Sequence, residues 1–432
     1  MGNTIIGVQQ SKIEMFPVSH ALNATVRVPG SKSLTNRALL VASLAEGTTT
    51  LTNALFSDDS GYFAESLMKL DFGVQVNPQL STFTVTGHGG LIPARRADLY
   101  VGNAGTAARF LTAMLTLGKG EYTVDGDPRM RQRPIKDLMD ALTQLGANVT
   151  SPTGCLPVRV QASGLRGGHA TVAGNVSSQF LSGLLMVAPY AQSTVELIVE
   201  RGLNSKPYVD MTLAVMSDFG VEINRVGYER FSIRSALYQA RETYAIESDA
   251  SAASYFFAAP AILGGTVRVE NISRRSKQGD IAFLEILQQM GCVVTDGPDY
   301  IEVTGSDRLN GVDVDMRDIS DTAQTLAVIA PFANSPTRIR GIDFIRAKET
   351  DRISAVCMEL TRLGVDVQEH SDGVTIQPCA SILPACIQTY NDHRMAMAFS
   401  LIGLRSSGVS IDNPACVSKT FPNYFEVLET LR

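Results

Sequence analysis

The chain has 432 residues, of which 44% are hydrophobic and 19% charged. That length and apolar share allow two or three domains with large cores and exclude a disordered chain. A net charge of −6 argues against nucleic acid as the main partner, so any anion site must be local. No apolar run reaches the roughly 18 residues of a membrane span, and the first residues lack the basic and apolar regions of a signal peptide. Six Cys without C-x-x-C spacing and five scattered His predict reduced thiols in a cytoplasmic protein, with no metal site.

In chain order, two short strand patterns, Thr4 to Val8 and Lys12 to Phe16, precede a third over Thr25 to Val28. Next comes Pro29-Gly30-Ser31-Lys32-Ser33-Leu34-Thr35-Asn36-Arg37, which opens an apolar helix. Backbone N–H groups at a helix start lack internal partners and favour anions, and Lys32 and Arg37 add full charges. The stretch is not a nucleotide P-loop, because Ser31 precedes Lys32 and Val26 stands where that motif needs Gly.

The rest of the chain repeats one phrase. An apolar-Gly-x-x-apolar string closes an amphipathic helix at Gly73, Gly146, Gly220, Gly291 and Gly364, at spacings of 73, 74, 71 and 73. Each unit reads as a short strand, an apolar helix, a strand, an amphipathic helix and two closing strands, or βαβαββ. The apolar helices are predicted to start near Ser33, Ala104, Ser177, Ala250, Thr322 and His393, and to be buried because no face is polar. The last unit lacks closing strands, which the leader can supply. Six units divide as three and three, with crossings near 20–29 and 240–247. One lobe would then take residues 1–24 and 243–432, and the other 25–242.

The helix starts carry the chemistry. Asn103, Ser177, Asp249, Asp321 and Asn391-Asp392 are good N-caps, but capping does not explain Lys32, Gln179, His393 or Arg394 at the mouth of a buried helix. Arg133, Lys206, Lys277, Lys348 and Lys419 recur beside the second helices at spacings of 73, 71, 71 and 71. A cation there opposes the helix dipole, so five of them imply a compensating anion. Asp59, Asp321, Glu349 and Asp392 fall among these cations. The first unit departs from the rule, with Asp58-Asp59 in place of a cation. Dense positive charge suits a ligand with phosphate and carboxylate groups, and interleaved carboxylates suit proton transfer.

The strings Gly102-Asn103-Ala104-Gly105-Thr106-Ala107, Val176-Ser177-Ser178-Gln179-Phe180, Ser205-Lys206-Pro207-Tyr208, Lys348-Glu349-Thr350-Asp351-Arg352, Tyr390-Asn391-Asp392-His393-Arg394 and Lys419-Thr420-Phe421-Pro422 occur in order. With Pro29 to Ser33 and Pro128 to Ile135, they give a sequence that resembles the 5-enolpyruvylshikimate-3-phosphate (EPSP) synthase family over nearly its whole length. The resemblance implies an α/β fold, a two-lobed inside-out α/β barrel of six βαβαββ repeats, three per lobe. It implies transfer of the enolpyruvyl group of phosphoenolpyruvate to the 5-hydroxyl of shikimate 3-phosphate, through a tetrahedral intermediate, with no cofactor or metal. It also implies a monomer, with no nucleic-acid or membrane partner.

By matching motif, Lys32, Gly105, Arg133, Gln179, Arg352, Arg394 and Lys419 are the expected phosphoenolpyruvate contacts. Lys32, Ser33, Arg37, Ser177, Ser178, Gln179, Ser205, Tyr208, Asp321 and Lys348 are those expected for shikimate 3-phosphate. The family pattern gives Glu349 the proton for the methylene carbon and Asp321 the hydroxyl proton, with Lys32, His393 and Lys419 in the catalytic group. It also makes glyphosate an expected occupant of the phosphoenolpyruvate site, close to Gly105. Phe110 and Phe344 depart from the pattern, standing where many bacterial members have Pro and Asn, and Phe344 is left out of the ligand set. The sister activity, enolpyruvyl transfer to UDP-N-acetylglucosamine, shares the repeat fold, but its reactive Cys has no counterpart near Arg129 to Arg133. A non-catalytic anion-binding protein would have lost Lys32, Asp321 or Glu349, and all three are present.

Overall fold

A computed structural model describes residues 11–432. The apolar helices are buried as their composition demands. Every residue of Gly105–Leu115 and of His393–Gly403 is buried, as is every residue of Ser178–Val187 except Gln179. Lys32–Leu44, Gly105–Leu115 and Ser178–Val187 share one hydrophobic core, which draws on residues from Leu34 to Ile246. Ala250–Leu263, Ala323–Ile329 and His393–Gly403 share a second, built from Met15 to Val28 and from Ala250 to Leu431. A helix buried on every side can be covered only by its neighbours in the same core.

Around the helices, the described residues form five four-stranded sheets and one three-stranded sheet. Arg96–Tyr100 runs parallel to Lys119–Asp125, which pairs antiparallel with Val158–Ser163, and Asn148–Thr150 completes that sheet. The parallel step needs a crossover, and the buried helix Gly105–Leu115 supplies it. Gly168–Ala173 and Asp313–Asp315 open sheets wired in the same way.

Two sheets differ from the reading by units. Leu22–Arg27 does not pair with Glu46–Thr52, the strand after the next helix, but lies parallel to Gly265–Glu270 in the second core. Thr243–Ala245 takes the vacant place beside Glu46–Thr52. The two opening strands are therefore exchanged, and the chain passes between cores a few residues beyond each strand. There the backbones are tied together: Ser31 N donates to Glu247 O at 2.8 Å and Asp249 N to Pro29 O at 2.8 Å.

The leader closes the last sheet, as Lys12–Glu14 pairs antiparallel with Val409–Asp412. The strand expected over Thr4 to Val8 lies outside the described residues. No helix among the described residues is long and apolar enough to cross a membrane.

Candidate active site

Buried helices from both cores open toward one cavity. Its wall contains Lys32, Ser33, Arg37, Arg133, Ser177, Ser178, Gln179, Ser205, Tyr208, Asp321 and Lys348. Ser31 caps its helix through Leu34 N at 3.4 Å, which leaves Lys32 and Ser33 in the first turn at the cavity. Ser177 caps Ser178–Val187 through Gln179 N at 3.3 Å and so presents Ser178 and Gln179. Arg37 lies one turn down. It is anchored to Thr212 Oγ1 at 2.8 Å, Ser33 O at 2.9 Å and Tyr208 O at 3.0 Å, above the buried ring of Phe110.

Two of the expected caps do other work. Ala104, not Asn103, precedes the helix Gly105–Leu115, and Asn103 Oδ1 accepts from Arg133 Nη1 at 3.0 Å. Asp321 sits in a short 3-10 turn, Ser320–Thr322, and sends its carboxylate to three cations. Lys348 Nζ is at 2.6 Å, Arg394 Nη2 at 2.7 Å and Arg352 Nη1 at 3.1 Å. Burial opposes the charged form of Asp321, but these three with Lys32 outweigh it and hold the carboxyl well below the usual range.

Glu349 is handled in the same way. Arg352 Nη2 lies at 2.8 Å, Arg133 Nη1 at 3.8 Å and Lys419 Nζ at 3.9 Å, and against the pull of burial they keep its carboxyl well below the usual range. Asp392 caps Arg394 N at 2.9 Å and pairs with Arg352 Nε at 2.7 Å. Asp59 accepts from Lys419 Nζ at 2.7 Å and faces Lys32 Nζ at 3.6 Å. The acidic start of the first amphipathic helix is thus the counter-charge for Lys32, which lines the cavity, and for Lys419. The site is an alternating lattice of cations and carboxylates, able to exchange its internal anions for those of a ligand.

Of the five cations expected at the second helices, Arg133, Lys348 and Lys419 reach this lattice. Lys206 and Lys277 do not. Lys206 lies over the Tyr228 ring and Lys277 pairs with Asp218 at 2.5 Å, so these long side chains leave their helix ends toward other partners. His393 is completely buried and neither ring nitrogen has a hydrogen-bond partner; burial and the charges of Arg394 and Lys32 push its pKa well down, leaving the ring neutral. Gly105 contributes close packing, since a Cβ there would lie 2.5 Å from Arg133 Nη2.

The sequence reading missed several residues. Arg109 and Thr106 line the cavity, as does Phe344, whose ring faces Lys348 Nζ at 5.7 Å. Arg109 already stood in the Gly105 string, one helical turn from Gly105, where periodicity alone puts it on the same face. Arg129 reaches across and donates to Lys348 O at 2.7 and 3.0 Å. Among the described residues no cluster of His, Cys, Asp and Glu has an arrangement that would hold a metal ion.

A mixed α/β protein whose buried helices aim cations, hydroxyls and carboxylates into one cavity has the machinery of a group-transfer enzyme acting on anionic substrates. The comparisons make this particular. A family model for EPSP synthase (3-phosphoshikimate 1-carboxyvinyltransferase) matches residues 18–428. A 3-phosphoshikimate 1-carboxyvinyltransferase of Trichormus variabilis is 53% identical over 411 residues, covering 94% of this chain and 96% of the relative. The protein of that name from Marinomonas sp. is 47% identical over 424 residues, 98% of this chain and 99% of its own. A solved EPSP synthase from Acinetobacter baumannii superimposes with a TM-score of 0.81 at 26% identity, over 98% of both chains. The chain belongs to the EPSP synthase family. It is a transferase that moves the enolpyruvyl group of phosphoenolpyruvate to shikimate 3-phosphate, a step of aromatic amino acid biosynthesis.

Proposed function

We propose that the cavity holds both substrates together. The shikimate phosphate rests on Ser177, Ser178 and Ser205, with Arg37, Tyr208, Lys348 and Asp321 around the ring. Phosphoenolpyruvate lies against Lys32, Gly105, Arg133, Gln179, Arg352, Arg394 and Lys419. The observation that carries this reading is the shared wall: all ten residues matched to shikimate 3-phosphate, drawn from positions 32 to 348, line one cavity.

In the reaction, Asp321 takes the proton of the 5-hydroxyl, the freed oxygen attacks C2 of phosphoenolpyruvate, and Glu349 protonates C3. Elimination of phosphate from the tetrahedral adduct follows. Glu349 is ionised while Arg352, Arg133 and Lys419 surround it. Phosphoenolpyruvate brings its own anions to those cations, so its arrival weakens their hold on the carboxylate and lets Glu349 carry a proton. Lys32, Lys419 and the buried, neutral His393 complete the catalytic group.

The six similarly wired sheets and two cores support a two-lobed inside-out α/β barrel of six βαβαββ units, three per lobe. We place the lobes at 34–246 and at 11–28 with 250–432, the crossings being the backbone-tied segments between. The protein works as a cytoplasmic monomer, without nucleic acid, membrane, metal or cofactor. Mixing it with both substrates should release phosphate, and UDP-N-acetylglucosamine should not replace shikimate 3-phosphate. Replacing Ser177 and Ser178 with Ala should weaken shikimate 3-phosphate by roughly 3–6 kcal/mol, the loss of two charge-assisted bonds. Calorimetry that finds both substrates equally weakened would reject the placement.

A further inference from the structure

Behind Asp321 lies a second carboxylate that the reaction as described does not use. Asp280 is 4% exposed, and its Oδ1 has no hydrogen-bond partner. Its Oδ2 accepts from Ser251 and lies 3.1 Å from the hydroxyl of Tyr208, which is also 3.1 Å from Asp321 Oδ2. One phenol therefore bridges the buried carboxylate of Asp280 and the partly exposed one of Asp321, and has a single proton to give them. Asp280 borders a small polar cavity that also touches Lys32, Tyr208, Asp249 and Arg394.

The two carboxylates differ in basicity for a geometric reason. Asp321 touches three cations within 3.1 Å. Asp280 has no cation within ion-pair distance among the described residues; it faces the negative charges of Asp321 and Asp249, which the more distant Coulomb pull of Arg394 only partly opposes. A carboxylate neutralised by three cations is a poor resting place for a proton, whereas one facing other carboxylates is a good one. Burial and the charge of Asp321 raise the Asp280 carboxyl to about 6, so near neutral pH it is ionised and able to accept.

We propose that Asp280 is the terminal acceptor of the substrate hydroxyl proton, reached from Asp321 through the Tyr208 hydroxyl. This rests on the assignment of Asp321 given above. As the 5-O–H bond breaks and the O5–C2 bond forms, the proton passes to Asp321 and on to the Tyr208 oxygen, while the proton of Tyr208 moves to Asp280. The electron pair of the C2–C3 double bond takes the Glu349 proton at C3. When phosphate leaves, C3 returns that proton to Glu349, and the Asp280 proton goes back along the same path to the departing phosphate. Asp280 touches no substrate; it positions and receives a proton through Tyr208.

The test is the pH profile of kcat for wild type, Asp280→Asn, Asp280→Glu, Tyr208→Phe and Asp321→Asn. Wild-type kcat should fall as the pH drops through about 6, where protonation fills the acceptor. Asp280→Asn should lose about 10-fold or more in kcat at pH 7.5, lose that acidic limb, and keep its KM for shikimate 3-phosphate. Asp280→Glu should restore the limb. Asp280→Asn with wild-type kcat and an unchanged limb overturns the relay. If that variant does not fold, Tyr208→Phe decides in its place, and retention of the limb there overturns the relay equally. Loss of turnover in Asp321→Asn with no effect at Asp280 rejects the relay alone, whereas undiminished turnover in Asp321→Asn rejects the active-site assignment beneath it.

Discussion

Gly105 and Glu349 show how much rides on single side chains. A methyl group at position 105 would meet the Arg133 guanidinium first, at 2.5 Å from Nη2, with Arg109 Nη1 at 3.0 Å. The far end of an arginine can yield, so Gly105→Ala should raise the KM for phosphoenolpyruvate by less than about 10-fold, or ~1.4 kcal/mol. Glyphosate, expected in the same corner and longer than phosphoenolpyruvate, should lose far more. Inhibition constants measured against varied phosphoenolpyruvate check this, and a parallel loss of both ligands would reject the steric account. Phe110 does not crowd that corner, because its buried ring lies under Arg37. The wild-type protein should therefore be glyphosate-sensitive. Glu349→Gln keeps the shape of the side chain but cannot shuttle a proton; kcat should fall about 100-fold or more, while calorimetry still detects both substrates.

At the scale of elements, the helix starts set the charge pattern. Asp59, in the first turn of Asp58–Lys69, lies 2% exposed between two lysines. Removing one partner of a buried pair typically costs about 3–5 kcal/mol. Asp59→Ala should show a loss of that order in denaturant unfolding, together with reduced turnover, since Lys32 and Lys419 are both released.

His393, the first residue of His393–Gly403, gives a pH signature. Its folded pKa lies below the unfolded value of about 6.5. Below that pH the unfolded chain gains a proton that the folded chain refuses, so stability falls with falling pH, by about 1.4 kcal/mol per unit. His393→Asn should remove this loss, so the difference in unfolding free energy between variant and wild type should shift in the variant's favour from pH 7.5 to 5.5. Asp280, with its folded pKa raised, adds stability as the pH falls from about 6 toward about 4, but equally in both proteins, so it cancels.

The starts of these helices were legible in the sequence, because a cap and an apolar periodicity are local signals. The direction of the side chains leaving them was not. Lys206 and Lys419 occupy equivalent positions, yet only Lys419 joins the lattice of carboxylates, and its partner Asp59 is 360 residues away in the chain. The same distance in sequence hid the role of Asp59.

Across the whole molecule, Arg129 belongs to the first core's portion of the chain, and it holds the Lys348 carbonyl of the second. Lys419 and Asp59 form another clasp, and Ser418 donates to Asp58 at 2.5 Å. Of these clasps Lys419–Asp59 is an ion pair, and Arg133–Glu349 at 3.8 Å is a second between the two portions of the chain, so part of the repulsion between them is cancelled. Arg129→Ala should loosen the cleft: small-angle scattering should give a larger radius of gyration for the ligand-free variant than for wild type, and shikimate 3-phosphate should narrow the gap. Equal radii without ligand would reject Arg129 as a clasp. The four-stranded plan of most of the described sheets could be read from spacing, but the exchange of opening strands could not. Thr243–Ala245 and Leu22–Arg27 are both plausible neighbours for Glu46–Thr52, and only the crossing geometry decides between them.

That exchange fixes a timetable for synthesis. Every described strand of the first core's three sheets comes from residues 46–245, so this half can finish as soon as it leaves the ribosome. The second half cannot. Leu22–Arg27 waits for Gly265–Glu270, and Lys12–Glu14 waits for Val409–Asp412, nearly the whole length of the chain. The earliest strands made are among the last to be paired, and until then they travel as unpaired edges, the kind of segment that recruits strangers. Once residue 250 has emerged from the ribosome, a nascent chain should already protect the first core from protease while residues 11–28 remain open to cleavage.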